Sequence, residues 1–122
     1  MKNVLRLEEL AMLLLSISAL YFFNAAWWLY AVMALGPDIS MLGYMAGNKV
    51  GAATYNTFHH KGIAIAIFAI GLKYNMDALT ITGIILFGHS SMDRIFGYGL
   101  KYETGFKFTH LGEIGNRGFL KD

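Results

Sequence analysis

Three long apolar segments dominate the pattern of hydrophobic and polar positions along this chain. They run from Leu10 to Leu35, from Ile63 to Leu72 and from Met76 to Phe87. As one helix, the first would be about 39 Å long, whereas the hydrocarbon core of a membrane is about 30 Å thick. It therefore forms either one tilted span or two helices in a hairpin. Aromatic residues cluster around Asn24, and since Trp and Tyr prefer the membrane interface, the pattern favours a turn there.

The distribution of positive charge supports the hairpin. In a chain with four spans, nine of the ten Lys and Arg residues lie on one side of the membrane, and only Lys73 lies on the other. Three spans give at best a split of seven to three. Because the basic side is cytoplasmic, we predict an all-α, four-helix transmembrane bundle in the bacterial cytoplasmic membrane, with both termini in the cytoplasm. The single domain, residues 1–122, has helices at about 4–24, 25–36, 52–72 and 76–95 and a short cytoplasmic tail at 96–122.

Composition agrees with a membrane protein. The 122 residues are 56% hydrophobic and 15% charged, which is too apolar for an ordinary soluble domain. The net charge of only +2 and the lack of a basic run argue against a nucleic-acid partner. There is no cysteine, so any metal would need His, Asp, Glu or Asn as its ligands.

The segment after the second predicted helix is rich in glycine. Pro37 should end that helix, because proline lacks an N–H and disfavours helical geometry at Gly36. Gly43, Gly47 and Gly51 follow at intervals of four residues, the spacing that lets helices approach closely. This stripe predicts either packing within the chain or a homo-oligomer interface.

Polar residues recur at one depth of the predicted bundle. The apolar parts of helices three and four are too short to cross a core that needs about 20 residues, so their polar ends must lie at membrane depth. His59 lies 13 residues before Leu72, and His89 lies 13 residues after Met76. At 1.5 Å per residue, both imidazoles are thus about 20 Å from the turn that joins predicted helices three and four on the outer side of the membrane. Because ionisable residues at that depth need partners, the two histidines indicate a functional site.

Residues one turn away complete a candidate metal site. His89 and Asp93 are four residues apart, and Asn56 and His59 are three apart, so each pair shares a helix face. Two imidazoles with carboxylate and amide oxygens suit zinc, iron or manganese. We therefore predict His59, His89 and Asp93 as metal ligands, with Asn56 as a further candidate.

Other polar residues suggest a reaction at this site. Asp38 or Glu8 would act as a general base toward a metal-activated water, and Arg94 would hold a phosphate-like headgroup. Lys101 is a second candidate for the headgroup, and His110 in the tail could fold back as a lid or a further ligand. Together these roles describe a metal-dependent membrane enzyme that acts on a lipid-like substrate.

Other functions fit the same residues. A small oligomeric transporter or channel would use the polar cluster as a proton or cation relay. A haem protein would use the paired histidines as axial ligands, and a non-catalytic membrane partner would use the cluster only to hold its helices together. Each polar residue taken alone could also be solvated at headgroup level, so the sequence leaves these alternatives open.

Several motifs are similar to those of a known family. Between Leu5 and Gly112 the chain contains LRLEEL, GPDISMLGYMAG, YNTFHH, GHSSMDRIFGYGLKYETGF and THLG. They resemble the motifs of the small bacterial integral membrane proteins catalogued as domain of unknown function 4260 (DUF4260). The resemblance implies a four-helix membrane protein and carries no established activity. The matching motif positions are Glu8, Pro37, Asp38, Ser40, Tyr55, Asn56, His59, His89, Asp93, Arg94, Gly97, Gly99, Lys101 and His110.

Overall fold

The computed structural model describes residues 2–96, 108–109 and 112–113. This part of the chain contains five α-helices and one 3₁₀ segment, namely α1 (Lys2–Phe22), α2 (Trp28–Leu35), the 3₁₀ segment (Gly36–Ala46), α3 (Asn48–His59), α4 (Lys61–Lys73) and α5 (Asp77–Ile95). In the predicted tail, β1 (Phe108–Thr109) and β2 (Gly112–Glu113) form a short antiparallel pair. The helical body confirms the predicted all-α class, with five helices instead of four.

The turn predicted near Asn24 is present. Asn24 has a φ of 55°, a left-handed conformation that Asn tolerates better than most residues. Its N–H donates to the carbonyl of Tyr21, and the N–H of Ala25 donates to the carbonyl of Leu20, which together close the end of α1 as a Schellman motif. Asn75, with a φ of 54°, ends α4 in the same way. The first apolar segment is therefore two helices, as predicted.

The helix predicted over residues 52–72 is wrong in its start and in its continuity. The observed α3 begins at Asn48, and the chain breaks at His60 before α4 starts at Lys61. His60 is extended, with φ −89° and ψ 117°. Its Nδ1 accepts a hydrogen bond from the N–H of Ile63 at 3.2 Å, which satisfies a free donor in the first turn of α4. A capping histidine leaves the apolar pattern unchanged, so periodicity does not reveal this break.

The helix predicted over residues 25–36 begins later than expected and ends where Pro37 indicated. The observed α2 covers Trp28–Leu35, and the chain continues as the 3₁₀ segment. Pro37 is tolerated near the start of this segment because its missing N–H has no helical partner there. After the segment, Gly47 has a φ of 115°, and the chain turns into α3. We call Gly36–His59 the 3₁₀–α3 hairpin.

Close packing within this hairpin uses the predicted glycine stripe. A Cβ atom at Gly43 would lie 1.9 Å from Oγ1 of Thr54, and one at Gly51 would lie 2.2 Å from the ring of Tyr44. Oγ1 of Thr54 also donates to the carbonyl of Ser40 at 2.9 Å. Two of the three glycines thus serve contacts inside the chain, and the homo-oligomer interface stays a prediction.

The long helix α5 is the centre of the bundle, since α1, α2, α3 and α4 all pack against it. The buried apolar core lies on its α1 and α2 sides and consists of Leu20, Met33, Ile84 and Ile85. On the α4 side, a Cβ at Gly83 would lie 2.6 Å from the nitrogen of Phe68 and 2.7 Å from the carbonyl oxygen of Ala64. The backbones of α4 and α5 therefore touch at Gly83.

We expect Gly83→Val to lower the free energy of unfolding by about 2 to 3 kcal/mol, because the added side chain forces two packed backbones apart. Thermal unfolding in detergent, followed by tryptophan fluorescence, measures the effect. The control is Ala66→Val on the exposed side of α4, which should change the free energy by less than about 0.5 kcal/mol. Equal melting temperatures for the two variants would contradict the observed contact.

Many large apolar side chains are exposed, including Trp27 at 83% and Met45 at 86%. Within the described residues, one helical stretch, Trp28–Ala46, is long and apolar enough to cross a membrane. This single stretch is weak evidence of membrane association. It does not confirm the predicted four-span topology with both termini in the cytoplasm.

Candidate metal centre

Four side chains from three elements converge at one end of the bundle. Asp38 comes from the 3₁₀ segment, His59 is the last residue of α3, and His89 and Asp93 lie one turn apart on α5. One ligand atom from each lies within 4.8 Å of the other three. His59, His89 and Asp93 are buried, whereas the side chain of Asp38 is 42% exposed. The structure thus brings together the three predicted ligands and one of the two predicted bases.

Each imidazole faces both carboxylates through Nε2. Nε2 of His59 lies 3.1 Å from Oδ2 of Asp93 and 3.6 Å from Oδ1 of Asp38. Nε2 of His89 lies 3.0 Å from Oδ1 of Asp38 and 3.4 Å from Oδ2 of Asp93. In a tetrahedral zinc site with ligand distances of about 2.0 to 2.1 Å, ligand atoms are about 3.3 Å from one another. The four nitrogen–oxygen separations lie around this value, so the cluster has the dimensions of a metal site.

Backbone carbonyls fix the orientation of both imidazole rings. Nδ1 of His59 lies 2.8 Å from the carbonyl oxygen of Tyr55, and Nδ1 of His89 lies 2.9 Å from that of Met33. A carbonyl oxygen can only accept, so each Nδ1 carries a proton, and a neutral ring then turns an unprotonated Nε2 toward the carboxylates. Metal-binding histidines are commonly held in this way, with the outer ring nitrogen donating to a carbonyl.

The resulting arrangement requires positive charge at its centre. With neutral rings, two nitrogen lone pairs would face two carboxylates at close range, which is repulsive. Either a divalent cation or a proton on each Nε2 removes this repulsion. Nε2 of His89 is within hydrogen-bonding geometry of Oδ1 of Asp38 at 3.0 Å, whereas the buried Nε2 of His59 has no hydrogen-bond partner among the described residues. A cation at the centre would contact the Nε2 of His59, which has no other partner, as well as the Nε2 of His89.

Tyr55 holds two of the candidate ligands in place. Its hydroxyl donates to Oδ2 of Asp93 at 3.1 Å, and its ring stacks on that of His59, with centroids 3.8 Å apart and planes 8° from parallel. In the sequence, Tyr55 is a motif position without a predicted role. The signal was available, because Tyr55 lies four residues before His59 and so shares its helix face.

Tyr55→Phe should weaken metal binding by about tenfold, the lower end of the effect expected when an outer partner of a ligand is lost. The phenyl ring keeps the stacking on His59 but removes the hydrogen bond to Asp93. Competition with a chromophoric zinc chelator measures the affinity. Tyr21→Phe is the matched control, since Tyr21 is 80% exposed. If both variants bind zinc equally, Tyr55 has no positioning role.

The remaining predicted site residues lie outside the four-residue cluster or outside the described part of the chain. Nη2 of Arg94 donates to the carbonyl oxygen of His59 at 3.3 Å, so the guanidinium lies beside the cluster. Asn56 is half-buried on α3, one turn before His59. Glu8 is exposed on α1 and is not part of the cluster. Lys101 and His110 lie outside the described residues.

The structure also pairs two charged residues for which the sequence predicted no functional role. Nζ of Lys61, at the start of α4, forms an ion pair with the carboxylate of Glu9 on α1, and the two side chains are 15% and 14% exposed. The same Nζ lies 3.0 Å from Sδ of Met12 and 5.5 Å from the ring centroid of Phe87. Because Lys61 and Glu9 are far apart in the chain, no local spacing predicts this pair.

The cluster does not suit the haem that paired histidines suggested. The rings of His59 and His89 have centroids 4.9 Å apart and planes at 64°. Asp38 and Asp93 approach both Nε2 atoms, where a porphyrin would have to lie between its axial ligands. The described geometry fits an ion.

Comparison with known proteins identifies a family without assigning an activity. A family model described as a domain of unknown function (DUF4260) matches residues 2–114. No curated protein and no solved structure matches the chain. The matched range contains all four residues of the cluster and covers most of the sequence. The chain therefore belongs to the DUF4260 family.

Proposed function

We propose that this protein is a membrane-bound metalloenzyme in which His59, His89 and Asp93 bind a divalent cation. The observation that carries the proposal is the convergence of four ligand atoms, with both Nδ1 atoms held by carbonyls. Catalytic zinc sites usually have three protein ligands and one open position. Three buried ligands and one partly exposed carboxylate, that of Asp38, match this pattern. The open position would face the side of Asp38.

Membrane insertion is supported by the outer surface of the helices. On α1, Leu7 and Leu15 are each 66% exposed, and on the 3₁₀ segment Ile39 is 63% exposed and Leu42 is 61% exposed. Large apolar patches on a protein surface mark contact with a membrane or another protein. Lipid would cover these side chains. In the topology that the positive charges favour, both termini are cytoplasmic and the metal centre lies at the inner-leaflet end of the bundle.

A cation at this position would lower the pKa of a bound water and supply the nucleophile for hydrolysis. The chemistry that such an ion would supply is hydrolysis of an ester, in which the bond to the leaving alcohol would break. Asp38 would act as the general base that accepts a proton from water and then as the acid that gives it to the leaving alcohol. Arg94 would stabilise negative charge on the substrate. Zinc, iron and manganese all accept two nitrogen and two oxygen ligands.

The metal content of protein purified in detergent without a chelator tests this function. We expect about one divalent ion per chain, and hydrolysis of a p-nitrophenyl ester or phosphodiester. Asp38→Asn should keep the metal and slow hydrolysis by about 100-fold or more, because a general base contributes at least that much. Asp77→Asn, at the opposite end of α5, is the control and should change neither. Protein without stoichiometric metal would refute the proposal.

A further inference from the structure

An apolar cavity of about 390 Å³ lies between α1, α4 and α5. Its lining includes Ala19 on α1, Ala64 and Phe68 on α4, and Gly83 and Phe87 on α5. The volume falls within the range of about 300 to 1,000 Å³ that is usual for ligand pockets. The cavity opens on one side, and we call it the α1–α4–α5 groove.

One end of the groove is charged. Lys61 lies one turn before Ala64 on α4, and Arg94 lies two turns after Phe87 on α5, so each cation continues a lining face of its helix. The 5.5 Å distance from Nζ of Lys61 to the ring of Phe87 places the ammonium group at this end. Glu9 pairs with Lys61 and extends the charged end to α1.

Arg94 is the cation that needs an anion. Within the described part of the chain, its guanidinium has a carbonyl oxygen as its hydrogen-bond partner and forms no ion pair with a carboxylate. It is half-buried and close enough to Lys61 for the two positive charges to repel each other. Glu9 is already paired with Lys61. Basic pockets between membrane helices on the cytoplasmic side bind anionic headgroups.

We propose that the α1–α4–α5 groove binds an acyl chain of an anionic phospholipid, whose phosphate is held by Arg94 next to the ion pair of Lys61 and Glu9. The phosphate would lie beside the metal centre, because Arg94 donates to the carbonyl of His59 and Lys61 follows His59 by two residues. The identification of this lipid as the substrate rests on the proposed enzymatic function. The binding of the lipid does not depend on it.

Native mass spectrometry tests the groove. The protein is released from micelles that contain equal amounts of phosphatidylglycerol and phosphatidylcholine with the same acyl chains. We expect one retained phosphatidylglycerol per chain, at least fivefold more abundant than retained phosphatidylcholine. Ala19→Phe, which fills the groove, should reduce the retained phosphatidylglycerol at least fivefold. Ala11→Phe, on the exposed side of the same helix, should retain it.

A second pair of variants tests the headgroup. Arg94→Gln should remove the preference for phosphatidylglycerol over phosphatidylcholine, whereas Lys73→Gln, at the opposite end of α4, should preserve it. Equal retention of both lipids by the unmodified protein would overturn the proposal. So would lipid retention that survives Ala19→Phe and is lost in millimolar inorganic phosphate, because that result describes an anion site without a bound chain.

Metal content measured on the same samples separates the two proposals. A protein that contains no metal but retains phosphatidylglycerol would refute the metalloenzyme and support the groove. A protein that contains metal but retains no phosphatidylglycerol would refute the groove alone.

Discussion

His89→Asn should abolish stoichiometric metal binding, with a loss of affinity greater than the roughly 10- to 100-fold that follows removal of an outer partner. His89 is completely buried, and its Nε2 approaches the carboxylates of both Asp38 and Asp93. Asparagine is too short to bring a ligand atom to the same point. Inductively coupled plasma mass spectrometry after dialysis measures the metal, and competition with a chromophoric chelator measures the affinity.

His60→Asn is the matched control for this change. His60 is exposed and adjacent to His59, but its ring nitrogen caps α4 instead of facing the cluster. Asparagine is a favourable residue at the start of a helix, so α4 should keep its first turn. The two variants should have the same helix content by circular dichroism and differ only in metal. Equal metal content in both would show that His89 is not a ligand.

The meeting of His59 and His89 was predictable from depth, although one step of that prediction was wrong. The count from Leu72 to His59 assumed one continuous helix, and the chain breaks at His60. The prediction survives because α4 supplies nearly all of the rise between Leu72 and His59, and the break at His60 is only one residue from His59. Asp38 reaches the cluster because the 3₁₀ segment continues directly from α2 at Gly36.

Contacts that depend on the bend at His60 were not predictable. The hydrogen bond from Tyr55 to Asp93 requires the way in which α3, which ends at the break, packs against α5. The ion pair of Lys61 with Glu9 requires α1 to lie beside the start of α4. Neither contact follows from the spacing of residues within one helix, since each joins side chains from separate elements. The sequence therefore predicted which residues share a helix face, whereas only the structure shows which helix faces contact each other.

Removal of the metal should loosen the 3₁₀–α3 hairpin before the rest of the bundle. Asp38 and His59 belong to the hairpin, while His89 and Asp93 belong to α5, so a cation at the cluster joins the two parts. A metal present at about 1,000 times its dissociation constant would stabilise the joined state by about 4 kcal/mol. We expect chelation to raise amide hydrogen exchange at least tenfold in α3, while exchange in the middle of α5 stays unchanged.

The effect of chelation should also depend on pH. Protons compete with the cation for the nitrogen atoms that face the two carboxylates, and positive charge from protons becomes available as the pH falls. Acidic solution should therefore keep the hairpin closed without metal, whereas alkaline solution should not. Exchange measured at pH 6 and pH 9.5, and corrected for the intrinsic rate at each pH, should show the larger effect of chelation at pH 9.5. Metal affinity should rise with pH over the same range, because protons compete for the ligands.

The double variant Asp38→Asn/Asp93→Asn separates repulsion at the cluster from a general loss of stability. Its two amides carry no charge and can donate N–H groups to the facing Nε2 atoms, so the repulsion is removed although no metal binds. We expect α3 in this variant to be as protected as in the metal-bound protein, with or without chelator. If chelator increases exchange in the double variant, or increases exchange equally in all helices of the unmodified protein, the cluster does not hold the hairpin. The opposite result would be slow amide exchange in α3 that is lost only in metal-free protein with both carboxylates and neutral histidines. That result would show that charge balance at this cluster closes the site.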